Sequence, residues 1–467
     1  MKMENKKKDF SEWYNEIIDI SQLSDKRYPI KGMNVWLPYG WKAMKNIDSV
    51  VRENVDLKDF QEVSFPVLIT RDMLTVEFEH IKGFENELYW VTKGGKEKLD
   101  IEMALRPTSE AAMYPMFSLW VRTHADLPLK IYQIVNVYRY ETKHTRSFIR
   151  IREIHFFEAH TAHRDHKESE EQMAEYMEIW KKISSALCLP FHVDRRPEWD
   201  KFPGAVYSLA FDTALPSGRS LQIGTIHQYD DNFAKNYDIK YSDESGQAVY
   251  AYQTTFGLSE RLLAAIIGIH GDDTGIVFPP DVAPFQVVVI PIPSDNSEQE
   301  GFVSSVCTVL TDHGFRVKLD NREAYTPGYK FNDWEMRGVP LRIEIGGREI
   351  GERSVTVAKR TSRGRQKIEF KDLVPGISRL LQEVKDEITA RAAKQFMELS
   401  RRDKSLGEMK SYEGISLSGW CGNRECSDTI EKETEKVVLG INISNTGDAK
   451  CIICGKPGKI ASFSRTY

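Results

Sequence analysis

The chain has 467 residues, 41% of them hydrophobic and 28% charged, and a formal net charge of −5. That length overruns a single core and predicts about two to four domains of ordinary soluble globular composition. The polar start, Met1-Lys-Met-Glu-Asn-Lys-Lys-Lys-Asp9, is not the pattern of a secretory signal, and no apolar run suffices to span a bilayer, so a cytoplasmic protein with no membrane partner is expected.

From the front, Trp41 to Val55 reads as a helix, and Val63-Ser-Phe-Pro-Val-Leu-Ile69 as a strand that Pro66 confines to an edge or a bulge. Arg106-Pro-Thr-Ser-Glu110 places proline, hydroxyls and an acid where a helix begins. Two apolar runs, Ile131 to Tyr140 and Phe148 to Phe157, flank the polar turn Glu141 to Ser147, which is a hairpin pattern. Arg139, Glu141, Arg150, Arg152, Glu153 and Glu158 recur along these aromatic strands. Either they form a structural ion-pair lattice, or they handle an anion, since guanidinium forks suit carboxylate and phosphate groups. His163 and His166, continuing from His160, read as surface.

Lys167 to Leu187 predicts the clearest helix, with Met173, Tyr176, Met177, Trp180, Ile183 and Leu187 on its core face. Leu221 to Ile226 reads as a strand. Flat alternation would send Gln222 to one face and Thr225 and His227 to the other, and a bulge at Gly224 would reunite them. Gly257-Leu-Ser-Glu-Arg261 opens an apolar helix expected over Leu258 to Ile269, whose N-terminus attracts anions.

After Pro279-Pro-Asp-Val-Ala-Pro284 the pattern becomes Phe285–Pro291 strand, Glu300–His313 helix, Phe315–Leu319 strand, Leu341–Ile345 strand and Leu380–Leu399 helix. That alternation predicts an α/β domain with a largely parallel sheet. Lys359, Arg360, Arg363, Arg365 and Lys367 form a basic run, suited to phosphates or merely solvated. Of six cysteines, four close the chain as Cys421-x4-Cys426 and Cys451-x2-Cys454. Without a secretory signal, that spacing favours a structural, tetrahedral zinc site over disulfides. Cys188 and Cys307 read as core residues.

Taken together, Arg106-Pro-Thr-Ser-Glu110, Arg139-Tyr-Glu141, Glu158-Ala-His-Thr161, Gln222-Ile-Gly-Thr-Ile-His227, Gly257-Leu-Ser-Glu-Arg261 and Thr326-Pro-Gly-Tyr-Lys330 resemble the signatures of class II aminoacyl-tRNA synthetases. They narrow to the prolyl-tRNA synthetase family, in its archaeal and eukaryotic-like form with a zinc-binding C-terminus. The resemblance implies an α+β catalytic domain over 1–283, built on an antiparallel sheet with helices. An α/β anticodon-binding domain over 284–390 and a small zinc-binding α/β domain over 391–467 would follow. It implies ligation of L-proline to the proline tRNA using ATP and Mg²⁺, by a homodimer.

On that resemblance, Arg139 joins the substrate carboxylate to the α-phosphate and, with Arg261, is catalytic. Thr108, Glu110, Phe156, Glu158, His160, His227 and Gly257 surround proline. Glu141, Arg150, Gln222, Thr225 and Ser259 join the two arginines around ATP, with Arg152 as the ion-pairing strand-mate of Arg150. Glu335, Arg342 and Arg348 read the anticodon, and Cys421, Cys426, Cys451 and Cys454 hold zinc. Ile154 and Phe156 stand where many relatives carry Phe and Trp, which leaves the adenine-stacking partner open. The terminal Tyr467 is expected to return towards the catalytic site.

Overall fold

In the computed structural model, residues 6, 8–78, 84–445 and 447–467 are described, and they fold around two large sheets with helices packed on their faces. Helix α1 (Phe10–Ile20) buries Phe10, Trp13, Tyr14, Ile17 and Ile18, one stripe at helical spacing. Helix α2 (Pro38–Asp56) starts on a proline whose missing N–H costs nothing there and buries seven apolar side chains, Tyr39 to Val55, in the same core.

The first sheet uses β1 (Gln61–Glu62), β2 (Leu129–Tyr138), β3 (Glu153–His163), β4 (His192–Arg195), β5 (Tyr207–Ala214), β6 (Ser220–Asp230) and β7 (Tyr252–Ser259). In the order β4-β5-β6-β7-β3-β2 every pairing is antiparallel, while β1 runs parallel to β2 at the edge. Val63 to Ile69 is therefore not one strand. The ladder to β2 ends at Val63, and beyond Pro66 a second ladder, Leu68–Thr70, joins a separate small sheet on Glu97–Leu105. A proline with no N–H to donate marks the handover.

The hairpin forms with a longer connection than its apolar runs suggest, 139–152, so Arg139, Glu141, Arg150 and Arg152 lie off the strands. On a ladder, alternation would aim some of them into the core; in the connection Arg139, Glu141 and Arg150 turn to one side, and Arg152 packs on Tyr140. Likewise Gly257 to Ser259 belong to β7, and the helix behind them, α5 (Arg261–His270), begins at Arg261 rather than Leu258. Helix α3 (Glu110–Trp120) starts after Ser109, and α4 (His166–Ala186) buries Met173, Tyr176, Ile179, Trp180 and Ile183. His163 is not on the surface. It is 3% exposed, and burial lowers its pKa to about 4.

The second sheet joins β8 (Val287–Pro291), β9 (Val317–Leu319), β10 (Leu341–Ile345), β11 (Ser354–Lys359) and β12 (Arg365–Glu369) in the order 9-8-10-11-12. Only the pairs made by β8 are parallel; β10, β11 and β12 pair antiparallel, so the sheet is mixed. The turn after β11 is too short for a crossover. Helices α6 (Gln299–Asp312), α7 (Pro327–Met336) and α8 (Leu373–Glu398) accompany it. The last begins at Leu373 rather than Leu380, with Pro375 inside the first turn, where its missing donor is harmless.

Beyond α8 come β13 (Ser400–Arg402), β14 (Ile415–Trp420), α9 (Arg424–Thr434), β15 (Val437–Asn442), β16 (Asp448–Lys450) and β17 (Pro457–Ser464). They extend the first sheet rather than building another: β15 pairs with β4, Ile441 opposite Arg195 and Asn442 opposite Asp194. Among the described residues, no helix is long and apolar enough to cross a membrane.

Candidate active site

A cavity of about 480 Å³ opens on one face of β3, β6 and β7. Alternation puts Phe156, Glu158 and His160 on that face of β3. The registers set Ser259, Gly257 and Thr255 of β7 opposite them, with Thr225 and His227 of β6 opposite Gly257 and Thr255 in turn. Gly257 sits at the centre, and a Cβ there would come within 3.0 Å of the Phe156 ring. Gln222 joins Thr225 and His227 because β6 carries an extra residue. Phe211 and Asp212 of β5 pair with Gly224 and Gln222, leaving Ile223 unpaired. The bulge expected at Gly224 is thus one residue earlier. It sends Leu221, Ile223 and Ile226 to the core and Gln222, Thr225 and His227 to the cavity.

One end of the cavity is a buried acceptor network. Thr108 Oγ1 donates to Glu110 Oε2, Tyr229 OH donates to Glu110 Oε1 at 3.1 Å, and Thr255 Oγ1 donates to Tyr229 OH at 3.1 Å. Ser109 Oγ donates to Glu158 Oε1, Gln133 Nε2 donates to the same oxygen at 2.9 Å, and His160 Nε2 lies 3.3 Å from Glu158 Oε2. Burial pushes the Glu158 carboxyl up, but His160, Ser109 and Gln133 outweigh it and hold the acid below the usual range. His227 is neutral. Burial, helped by the charges of His160 and Arg196, lowers its pKa to about 3, and its Nδ1 sits 2.7 Å from Ser208 Oγ.

The other end gathers positive charge. Arg139 Nε donates to the Pro107 carbonyl at 3.2 Å, and Arg261 Nε donates to the Ile149 carbonyl at 2.9 Å. Arg150 Nη1 lies 3.3 Å from Glu141 Oε2. Among the described residues Arg152 makes no ion pair; its Nε donates to the Glu141 carbonyl, and its guanidinium lies 4.7 Å over Tyr140. Burial and the nearby Arg139 and Arg150 lower the Arg261 pKa to about 10. Cations crowded this closely favour a polyanion between them.

Every residue expected around proline and ATP lines this cavity, and so does Ile154. Glu87, Arg196, Phe202, Ser208 and Glu260 line it too and were not anticipated. Phe202 had a signal, an aromatic in the short Lys201-Phe-Pro-Gly204 loop; the others depend on contacts across strands that spacing does not encode.

The C-terminus returns to this region. Thr466 bridges Ser220, Tyr467 OH and Ser217 Oγ are 2.7 Å apart, and Arg146 lies 5.3 Å over the Tyr467 ring. The sulfurs of Cys421, Cys426, Cys451 and Cys454 all lie within 4.8 Å of one another. Four thiolates around zinc at about 2.3 Å stand about 3.8 Å apart, and the Cys421 and Cys454 sulfurs are 3.7 Å apart. The donor set fits a closed tetrahedral site.

On the second sheet, Glu335 and Arg342 line a cavity of about 370 Å³ with Trp334, Arg360, Arg363 and Arg365. Arg348 lies outside it, its side chain 71% exposed and paired to Glu349 at 2.7 Å. Within the basic run, Lys359 pairs with Glu383 and Glu387, Arg360 with Asp272, Arg365 with Glu344 and Lys367 with Glu352, while Lys359, Arg360, Arg363 and Arg365 all line the cavity.

Known proteins match in the same order. Residues 89–270 match the tRNA synthetase class II core domain (G, H, P, S and T), 286–380 the anticodon binding domain and 407–467 the prolyl-tRNA synthetase C-terminal family. The proline–tRNA ligase of Thermoplasma volcanium is 65% identical and that of Thermococcus kodakarensis 49% identical, each over 100% of both chains. The structure of Giardia lamblia prolyl-tRNA synthetase in complex with prolyl-adenylate superposes with a TM-score of 0.95 at 32% identity, covering 100% of both chains. A carboxylate-lined pocket beside a cluster of arginines, carried on this sequence of matched segments, makes the chain a member of the prolyl-tRNA synthetase family.

Proposed function

We propose that the cavity activates L-proline with ATP and that the chain then ligates proline to its tRNA. The observation that carries this is the juxtaposition, in one cavity, of the Thr108–Glu110–Glu158 acceptor network with the guanidinium groups of Arg139, Arg150 and Arg261. A secondary ammonium has two N–H donors, and Thr108 and Glu110 supply a hydroxyl and a carboxylate to accept them. Phe156 offers an apolar face to the pyrrolidine ring, with Glu158, His160, His227 and Gly257 completing the wall.

The proline carboxylate attacks the α-phosphorus in line, the bond to the bridging oxygen breaks, and pyrophosphate leaves. Arg139, between the two ends, holds both reacting groups and neutralises charge building on the phosphoryl oxygens. Arg261 at the start of α5 and Arg150 bind the outer phosphates, Glu141 accepts from the adenine amino group, and Gln222, Thr225 and Ser259 contact the nucleotide. Mg²⁺ bound to the triphosphate would share its charge with these arginines. In the second step the 3′-terminal hydroxyl of the tRNA attacks the prolyl carbonyl and AMP leaves. No side chain acts as a covalent nucleophile.

In this reading residues 1–283 are the catalytic domain, 284–390 the anticodon-binding domain and 391–467 the zinc-binding domain. Glu335, Arg342 and Arg348 read guanine edges. The four cysteines hold one structural zinc, and the enzyme works in the cytoplasm as a homodimer. Val67 and Leu68, apolar and exposed in the single chain, supply part of the dimer surface. The test is aminoacylation of proline tRNA transcripts with labelled proline. Charging that falls sharply when the anticodon guanines are replaced supports the reading; transfer of proline to no tRNA removes it.

A further inference from the structure

Arg196 follows β4 and is 9% exposed, and its guanidinium is bound on three sides. Nη2 donates to Asp212 Oδ1 at 3.0 Å and to Gln222 Oε1 at 2.8 Å, while Nη1 donates to the Leu439 carbonyl at 2.5 Å. Asp212 lies directly across the ladder from Gln222, next to the bulge that turns Gln222 into the cavity. Leu439 comes from β15, in the block that carries the cysteines. That backbone approaches so closely that a Cβ on Gly440, at φ +150°, would lie 2.3 Å from the Arg195 carbonyl.

We infer that Arg196 is a positioning residue that fixes the amide of Gln222 for ATP and ties the C-terminal block to the nucleotide site. Arginine has only donors, so a glutamine amide facing it must present its oxygen. The Gln222 NH₂ is then left to point into the cavity as a donor, matched to an acceptor oxygen of the nucleotide. Without Arg196 the amide is free to flip and offer an acceptor instead, which repels the same oxygen. Asp212, 1% exposed, and Asp200, whose Oδ2 lies 3.7 Å from Arg196 Nε, balance the charge, so the guanidinium is held without a ligand. The main-chain carbonyl of Gln222 in turn lies 3.4 Å from Arg261 Nη1, so one residue links both basic groups.

The inference rests on Gln222 contacting ATP in the reading above. ATP–pyrophosphate exchange is measured on the full chain for Arg196→Met, Arg196→Lys, Gln222→Ala and the double variant Arg196→Met/Gln222→Ala. Arg196→Met should raise KM for ATP about tenfold, the scale of one charge-assisted hydrogen bond, while KM for proline stays within about twofold. Arg196→Lys, which keeps a donor beside Asp212, should recover most of the loss. In the Gln222→Ala background Arg196→Met should change KM for ATP less than about twofold, because the amide it positions is gone.

Multiplying effects in the double variant, equal rises in both KM values, or an unchanged KM for ATP would each overturn the inference. Should Arg196→Met fail to fold, Arg196→Lys with and without Gln222→Ala decides by the same criterion. Absence of proline-dependent exchange in the unsubstituted chain would instead remove the functional reading itself.

Discussion

At the scale of single residues, the site depends on groups placed before substrate arrives. Arg139 is half-buried, and its desolvation lowers its pKa against the opposing pull of Glu87, Glu110 and Glu158. A donor desolvated and aimed in advance loses nothing to reorganisation when charge develops. Arg139→Ala should therefore cut proline-dependent pyrophosphate exchange by at least roughly 10²–10³-fold, the scale of one lost preorganised donor. Exchange close to that of the unsubstituted chain, in a variant with unchanged circular dichroism, would refute the role. Much of this site is legible in the sequence because its residues sit at strand alternation or in short polar segments. Phe156, Glu158 and His160 are two apart on one strand, and Thr108 and Glu110 border a helix start. Arg196 is the contrary case. Its hydrogen-bond partners lie at positions 212, 222 and 439, on three other strands, and the only local signal is the looser ion pair to Asp200 at 3.7 Å.

At the scale of elements, the boundaries show where pattern and geometry part. The helix at Arg261 starts late because Gly257 to Ser259 are needed as a strand opposite Phe156 and Glu158. The same apolar letters suit either state, and only the neighbouring strand decides. The largely parallel expectation for the second sheet failed because a hairpin, β11 to β12, follows the two parallel pairs. Glu335 at the end of α7 and Arg342 on β10 meet in a cavity remote in sequence from the catalytic strands. Glu335→Ala and Arg342→Ala should lower aminoacylation about tenfold or more, at about 1–3 kcal/mol per lost base contact, and leave pyrophosphate exchange unchanged. If both reactions fall together, the two sheets do not divide the labour. Cys451 is 3% exposed inside a small core with Trp420, Ile430 and Phe463. Elemental analysis should find one zinc per chain, and Cys451→Ser should lose it and lower the unfolding temperature. A zinc-free native chain would remove the structural site.

At the scale of the whole molecule, buried and half-buried histidines set the response to acid. Burial lowers the pKa of His163 and His192 to about 4, and of His227 and His270 to about 3. An unfolded histidine titrates near 6.5, so below that pH the unfolded chain takes up protons that the folded chain refuses. Each group then costs about 1.4 kcal/mol of stability per pH unit until its folded value is reached. Asp194 and Glu260 act in the opposite sense: burial raises them to about 7 and about 8, so the folded chain holds those protons and gains as the pH falls. Asp200 and His166 are raised as well, without a large shift; the four large histidine shifts outweigh these opposing groups, and the urea midpoint should be lower at pH 5 than at pH 6.5. An unchanged or higher midpoint at pH 5 would show that these histidines are not buried in the neutral form.

The geometry assigns both the selection of proline and its joining to AMP to one cavity. The most direct measurement is ATP–pyrophosphate exchange with each of the twenty amino acids in turn. Proline should support the fastest exchange, with alanine, small enough to enter the same pocket, the main competitor at roughly 10–200-fold lower kcat/KM per missing methylene. Faster exchange with any other amino acid, or none with proline, would contradict the account.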